Sequence, residues 1–344
     1  MNVLTARQKE ILTRVIESYI EIGSPVGSRA LAGRYELKLS PASLRHEMGV
    51  LEDMGYLTHP HTSAGRTPTD KGYNFYVKEV VREESLPEEI LRQMAREMQT
   101  KIENLESLMT RVSHILSAIA EEAVLVTSPR LQELYLKELS LVAFDETRIL
   151  AVWCSTSGLI QNCIVEVEKP LSPKDIEHIR NFINRELSGS PIASLESELL
   201  KRIESHRDSL RRLYELTLQI VRESFPAWDL PHLFVEGSRY ILNQPEFQAF
   251  SKFQPLIATL EEKSNLIRFL MDPKFAEGVN IAIGEEALSK EMWDCSLVSA
   301  GYQWRGKKVG AIGVLGPRRM PYGRMMGLVH QMSNIITQTI ERWG

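Results

Sequence analysis

At 344 residues, 43% hydrophobic and 25% charged, the chain is too long for one ordinary core, and two or three folded domains are expected. A formal net charge of −4 excludes indiscriminate coating of nucleic acid, and three cysteines without a C-x-x-C pair predict neither a disulfide framework nor a zinc site. The charged start MNVLTARQKEIL is unlike a signal peptide, and no apolar run approaches the roughly 20 residues of a membrane helix, so a cytoplasmic protein with no membrane contact is expected.

Thr5 to Ile22 patterns as an amphipathic helix, with Leu12, Val15, Ile16 and Tyr19 on one face and Thr5 and Gln8 at capping-box spacing. Gly23-Ser24-Pro25 ends it. Val26 to Tyr35 predicts a shorter helix, and only Glu36 to Leu39 separates it from the next, a helix-turn-helix connection length. Ser40-Pro41 then starts a helix running to about Met54: a hydroxyl holds a free amide, and the ring is already fixed at helical φ. Leu44, Met48 and Leu51 share one face of it; Ala42, Arg45, His46 and Gly49 share the other. That second face is small at its ends and carries hydrogen-bonding heads, with Ser43 on its flank, which suits entry into a major groove. Tyr56 to His59, a polar tip at His61 to Gly65, and Arg66-Thr67 pinned by Pro68 predict a hairpin in the position of a wing. Helix, turn, helix and hairpin in succession point to DNA more specifically than a helix-turn-helix alone.

Residues 24–82 hold eight Lys/Arg against six Asp/Glu, an excess too small for tight binding by one copy. A helix capped by Thr69 or Asp70 follows the hairpin, then a hinge at Glu83 to Pro87. From Pro87 to about Ala123 apolar residues recur every three or four positions, close to a heptad repeat, with Met94, Met98 and Met109 making the seam soft. The period then changes to two at 135–144, 149–154 and 159–167, predicting an antiparallel meander. Helix follows at 172–187, 195–225 and 245–271, with a short strand near Phe234; strands return at 279–283, 295–302 and 309–315, and a last helix spans 322–342. Sheet, helical block and sheet predict an α+β multidomain chain: a DNA-binding domain at 1–84, an α/β domain at 85–195 and 272–344, and a mainly helical insertion at 196–271.

Arg45 is the candidate for bidentate recognition of guanine, because a guanidinium fork matches the two acceptors of that base. Ala42, Ser43 and His46 flank it. Ser28, Arg29 and Ser40 begin helices, where free amides favour phosphate, and Arg66 and Lys71 would hold the DNA backbone through the wing and the helix after it. His59 and His61 lack a third ligand for a metal, and Gly313 to Arg319 is either an anion cradle or a strand-to-helix turn. No Ser-His-Asp, P-loop or dinucleotide pattern is present, so neither an enzyme nor a cofactor is expected.

In Pro25 to Arg29, Leu39 to Arg45, His61 to Arg66 with Pro68 to Tyr73, and Val309 to Met320, the chain resembles the HrcA-type heat-inducible transcription repressors over its whole length. His46 and Asn74 stand where family members usually carry Asn and Arg. The resemblance implies a winged helix-turn-helix, a GAF-like domain, and an inserted dimerisation domain. It further implies a homodimer on an inverted-repeat operator in double-stranded DNA upstream of chaperone genes, inactivated by heat and maintained by the GroE chaperonin. The rival reading is a metabolite-sensing transcription regulator that uses the GAF-like domain as its sensor.

Overall fold

The computed structural model describes residues 4–60, 65–98, 105–130, 134–156, 160–167, 170–205, 211–224, 231–275, 278–284, 292 and 294–342. The fold is α+β, with helices packed on three antiparallel sheets among these residues. Helix α1 (Ala6–Ile22) starts on the expected capping box, Thr5 accepting from the Gln8 amide while the Gln8 side chain accepts from that of Thr5, and it closes at Gly23 with φ of 69°. Helix α2 (Ser28–Arg34) is shorter than expected, and α3 (Pro41–Asp53) begins where Ser40 Oγ accepts from the Ser43 amide at 3.1 Å. Ile11, Leu12, Val15 and Ile16 of α1 bury against Leu31 of α2 and Leu44, Met48 and Leu51 of α3. Strands β1 (Leu57–Thr58) and β2 (Thr67–Pro68) pair antiparallel, and α4 (Asp70–Glu79) follows with Thr69 as its cap. The expected tip at 61–64 lies outside the described residues.

The single helix expected from Pro87 to Ala123 is instead a hairpin of α5 (Glu88–Met98) and α6 (Leu105–Ala120). Arg111 Nη1 donates to the Glu97 carbonyl at 3.0 Å, whereas fourteen helical residues would separate the two by roughly 20 Å. The heptad-like seam is real but folds on itself: Met94 of α5 and Met109, Val112 and Leu116 of α6 are all buried. Nor are residues 83–87 a free hinge. The Glu84 amide donates to the Gly323 carbonyl at 3.0 Å and Glu83 pairs with His330 at 2.7 Å.

Strand β3 (Ala123–Thr127) joins β7 (Leu233–Glu236), β8 (Val279–Ile283), β9 (Cys295–Trp304) and β10 (Lys307–Pro317) in a sheet ordered β7-β3-β10-β9-β8. One face, with Val124, Val298 and Val314, packs on α6 and α13 (Tyr322–Glu341); the other, with Leu125, Leu297 and Leu315, meets α10 (Ser238–Leu242), α11 (Phe250–Glu261) and α12 (Lys263–Leu270). Strands β4 (Leu136–Ala143), β5 (Arg148–Ser155) and β6 (Ile160–Glu166) form the expected meander, but as a separate sheet. Its buried face carries Leu139, Ala151, Trp153 and Val165 against α7 (Pro173–Glu186) and α9 (Arg211–Ser224), with α8 (Leu195–Ser205) beside α9. The order of elements along the sequence groups 135–167 with the later strands and places β7 inside a helical block. A period of two identifies a strand and says nothing about its partner, which is why these groupings differ.

Candidate nucleic-acid interface

The face of α3 opposite its core carries Ala42, Ser43, Arg45 and His46, all exposed. A Cβ added at Gly49 would meet nothing within 4 Å, so this face stays low on either side of the Arg45 and His46 heads. Ser40 and Ser43 share a hydroxyl contact at 3.0 Å, so Ser40 acts first as the helix cap and Ser43 faces outward beside it.

Beside α3 the chain closes a hollow of about 290 Å³ lined by Val26, Gly27, Ser28, Arg29, Arg45, Met48, Gly65 and Arg66. Four of the residues singled out from sequence, Ser28, Arg29, Arg45 and Arg66, therefore meet at one place. What brings them together is a bridge: Val26 and Arg66 exchange backbone hydrogen bonds at 2.9 Å in both directions, tying the start of α2 to the β1–β2 hairpin. Gly65 is required there, since a Cβ would lie 2.5 Å from the Val26 carbonyl carbon. With only seven residues in α2, three cations rather than a helix dipole give the hollow its sign.

Arg66 and Lys71 are not free backbone clamps. Arg66 Nε lies 2.7 Å from Glu52 Oε2, and His59 pairs with the same carboxylate. Glu52 thus sets the base of the β1–β2 hairpin, a role invisible in the sequence, since it lies on the last turn of α3 and no local spacing ties it to Arg66. Lys71 Nζ donates to the Met54 carbonyl at 2.8 Å and sits 4.4 Å from the Tyr56 ring centre, so it closes the C-terminal end of α3, away from the hollow. His59 is engaged by Glu52 rather than poised for a metal, and His61 lies outside the described residues.

The glycine-rich run before the final helix is strand β10, and its two arginines face carboxylates: Arg318 meets Asp70 and Asp294, and Arg319 meets Glu246. The turn reading of that segment therefore holds over the anion cradle. Cys154, Cys163 and Cys295 are free thiols; Cys163 Sγ contacts Ser224 Oγ at 3.1 Å, and burial pushes Cys154 and Cys295 above the ordinary thiol range.

Residues 106–326 match the family described as HrcA protein C terminal domain. Curated relatives named heat-inducible transcription repressor HrcA include that of Pelotomaculum thermopropionicum, 31% identical over 339 residues, covering 98% of this chain and 97% of that one. Those of Acetivibrio thermocellus and Natranaerobius thermophilus are 33% identical over 340 residues and 35% identical over 342, again covering 98% of this chain and 97% and 98% of theirs. A crystal structure described as that of a hypothetical protein superposes with a TM-score of 0.63 at 22% identity and covers 99% of both chains, which shows a shared fold.

Proposed function

Because the chain belongs to the HrcA family of heat-inducible transcription repressors, we propose that it acts as a homodimer on an inverted-repeat operator to silence heat-shock genes, chaperone operons among them. Negative control of transcription is the family's role, and it is not an enzymatic one. The observation that carries the DNA-binding reading is the meeting of Ser28, Arg29, Arg45 and Arg66 around one hollow beside the open face of α3. In this reading residues 1–84 are a winged helix, α3 enters the major groove, and Arg45 reads guanine with Ala42, Ser43 and His46 on neighbouring edges. Ser28, Arg29 and Ser40 hold phosphates, Arg66 fixes the hairpin through Glu52 at the edge of the hollow, and Lys71 supports α3 from behind.

The five-stranded sheet with α6 and α10 to α13 is the GAF-like domain, and the inserted dimerisation unit is the three-stranded sheet with α7 to α9 rather than 196–271. Val142, Phe144, Ile160 and Ile164 on the open face of that sheet are each more than half exposed, an apolar surface that a second copy would cover. GroE chaperonin maintains the active dimer, and heat withdraws it. Packed side chains on both faces of the five-stranded sheet favour this reading over a metabolite sensor. The test is gel shift of the purified protein on promoter DNA of its own heat-shock genes, across temperature, with and without GroE and ATP. Specific binding lost on heating and restored by chaperonin is expected; binding indifferent to both would retain the DNA interface and remove the proposed control.

A further inference from the structure

Arg318 follows the last residue of β10, the central strand of the five-stranded sheet, and its backbone is held from two sides. Its amide donates to the Asp294 carbonyl at 3.2 Å, and its own carbonyl accepts from the Tyr322 hydroxyl, which Ser296 Oγ contacts in turn at 2.8 Å. The guanidinium then divides its two terminal nitrogens between two parts of the molecule. Nη2 meets Asp294 at 2.6 Å, a carboxylate that also receives Lys252 Nζ of α11 at 2.8 Å, while Nη1 meets Asp70, the first residue of α4. Burial alone would raise the Asp294 carboxyl; the bonds from Lys252 and Arg318 outweigh it and hold the group below the ordinary range.

The far side of this joint leads directly to the DNA-reading helix. Thr69, beside Asp70, donates its amide to the Tyr56 carbonyl at 3.1 Å and its hydroxyl to the Gly55 carbonyl at 2.7 Å; Lys71, on the other side, caps Met54. The first turn of α4 is thus bonded to the C-terminal end of α3. Gly284, at φ of 58° at the end of β8, lets Asp70 sit against the sheet where any Cβ would collide with its carboxylate. Arg319, the next residue, is held on the sheet's own side by Glu246 and, at 2.9 Å, by Gln244, which fixes the segment that carries Arg318. A polar cleft of about 520 Å³, lined by Thr58, Asp70, Lys71, Lys252 and Arg318 among others, lies between the two parts, and the Arg318 ion pair crosses it beside the edge-on contact of the Tyr73 and Tyr322 rings.

We propose that Arg318 is a positioning residue for operator recognition: by bridging Asp70 to Asp294 it fixes the angle of α3 relative to the sheet, and so sets the separation of the two reading helices in the dimer. The inference rests on the reading that two copies bind an inverted repeat. A rigid joint makes a dimer intolerant of altered half-site spacing, whereas a loose joint lets each module find its own half-site.

The test measures affinity for the duplex that the wild-type protein protects within its own heat-shock promoter DNA. It is compared with the same duplex lengthened at its centre by about half a turn (~5 base pairs) and about one turn (~10 base pairs), and with a single half-site. Wild type is expected to lose roughly 30-fold or more on the half-turn insertion and to regain part of it at the full turn. Arg318→Met, and independently Asp70→Asn should the first variant fold poorly, should reduce that penalty to roughly threefold while leaving dimer mass and half-site affinity at wild-type values. Arg318→Lys, which can hold one carboxylate at a time, should fall between. Variants that keep the full spacing penalty overturn the role given to Arg318, as does a wild type indifferent to spacing. A wild type that binds whole and half sites equally shows instead that the dimeric-operator reading is wrong, and the inference falls with it.

Discussion

Arg45 stands exposed near the start of α3, one turn from Ala42 and one from Gly49, and it borders the hollow that also gathers Arg29 and Arg66. In the proposed reading its removal takes away a base contact and little packing. Arg45→Ala should therefore weaken operator binding by roughly 1–3 kcal/mol and relax base preference, with the dimer intact by sedimentation; unchanged binding would remove α3 as the reader. Lys71→Ala makes the contrast, because its bond to Met54 supports the helix from the opposite end: it should lower the melting temperature and weaken all sequences evenly. Glu122 offers a separate test. It is 6% exposed with Oε2 unpartnered, and burial, only partly offset by Arg319 and reinforced by the like charges of Glu246 and Glu121, pushes its pKa up to about 8. The folded state holds this proton more tightly than the unfolded one, so stability is full below the ordinary carboxyl pKa and is lost as pH rises toward 8. Glu122→Gln should match wild type near pH 4 and exceed it at pH 8, by on the order of 3 kcal/mol in denaturant titrations; parallel pH curves would contradict this. The side chains legible in the sequence are those with local partners, such as Thr5 with Gln8 or Ser40 with Ser43. The partners of Lys71 and Arg318 are not legible, because they lie 17 and up to 248 residues away and an isolated cation carries no mark of the carboxylate or carbonyl it will meet.

Elements were readable to the extent that a single period governs them. The caps of α1 and α3 and the apolar stripes of α1, α3 and α13 fell where hydroxyls, Pro41 and three-to-four spacing placed them, and β4 to β6 followed from alternation. Connections were not. The stripe from Leu91 to Ile119 continues in phase through the point where α5 gives way to α6, because both helices present apolar faces to the same interface and no Gly or Pro marks the break. Methionine at the heart of that hairpin has consequences for heat. Met94 and Met109 are wholly buried, and unbranched thioethers fill space without fixing it. Replacing both by Leu, nearly the same volume with fewer rotamers, should raise the temperature at which operator binding is lost by a few degrees, roughly the effect of 1 kcal/mol. The readout is gel shift after stepwise heating. A variant that fails at the wild-type temperature would place the thermal weak point elsewhere, with the open face of the three-stranded sheet next in line.

On the scale of the whole molecule, a modest local charge has to yield specific binding in an acidic chain. Eight cations against six acids over residues 24–82, with Arg66 already paired to Glu52, leave one module few contacts to spend on phosphate, which is why the proposed function draws its affinity from two modules held together. In the proposed dimer, once one module is seated, the second would see its half-site at an effective concentration of roughly millimolar, which multiplies a weak interaction into a useful one. The surface best suited to hold two copies is the open side of β4, β5 and β6. There Val142, Leu150 and Ile164 stand directly across from one another in register, and Ile160 and Phe144 extend the apolar area toward both ends. Self-pairing on such a face is isologous, each residue meeting the dyad-related patch, so one charge introduced at its centre is introduced twice and faces itself. Ile164→Asp, at a position already 51% exposed, should leave the monomer fold unchanged by circular dichroism while shifting sedimentation to the monomer. Binding to the full operator should then drop by about two orders of magnitude, to the level of a single half-site, with half-site affinity itself unaltered. A dimer that persists in this variant would move the interface off the sheet. A monomer that still bound the full operator at wild-type strength would mean that the DNA, rather than the sheet, brings the two copies together.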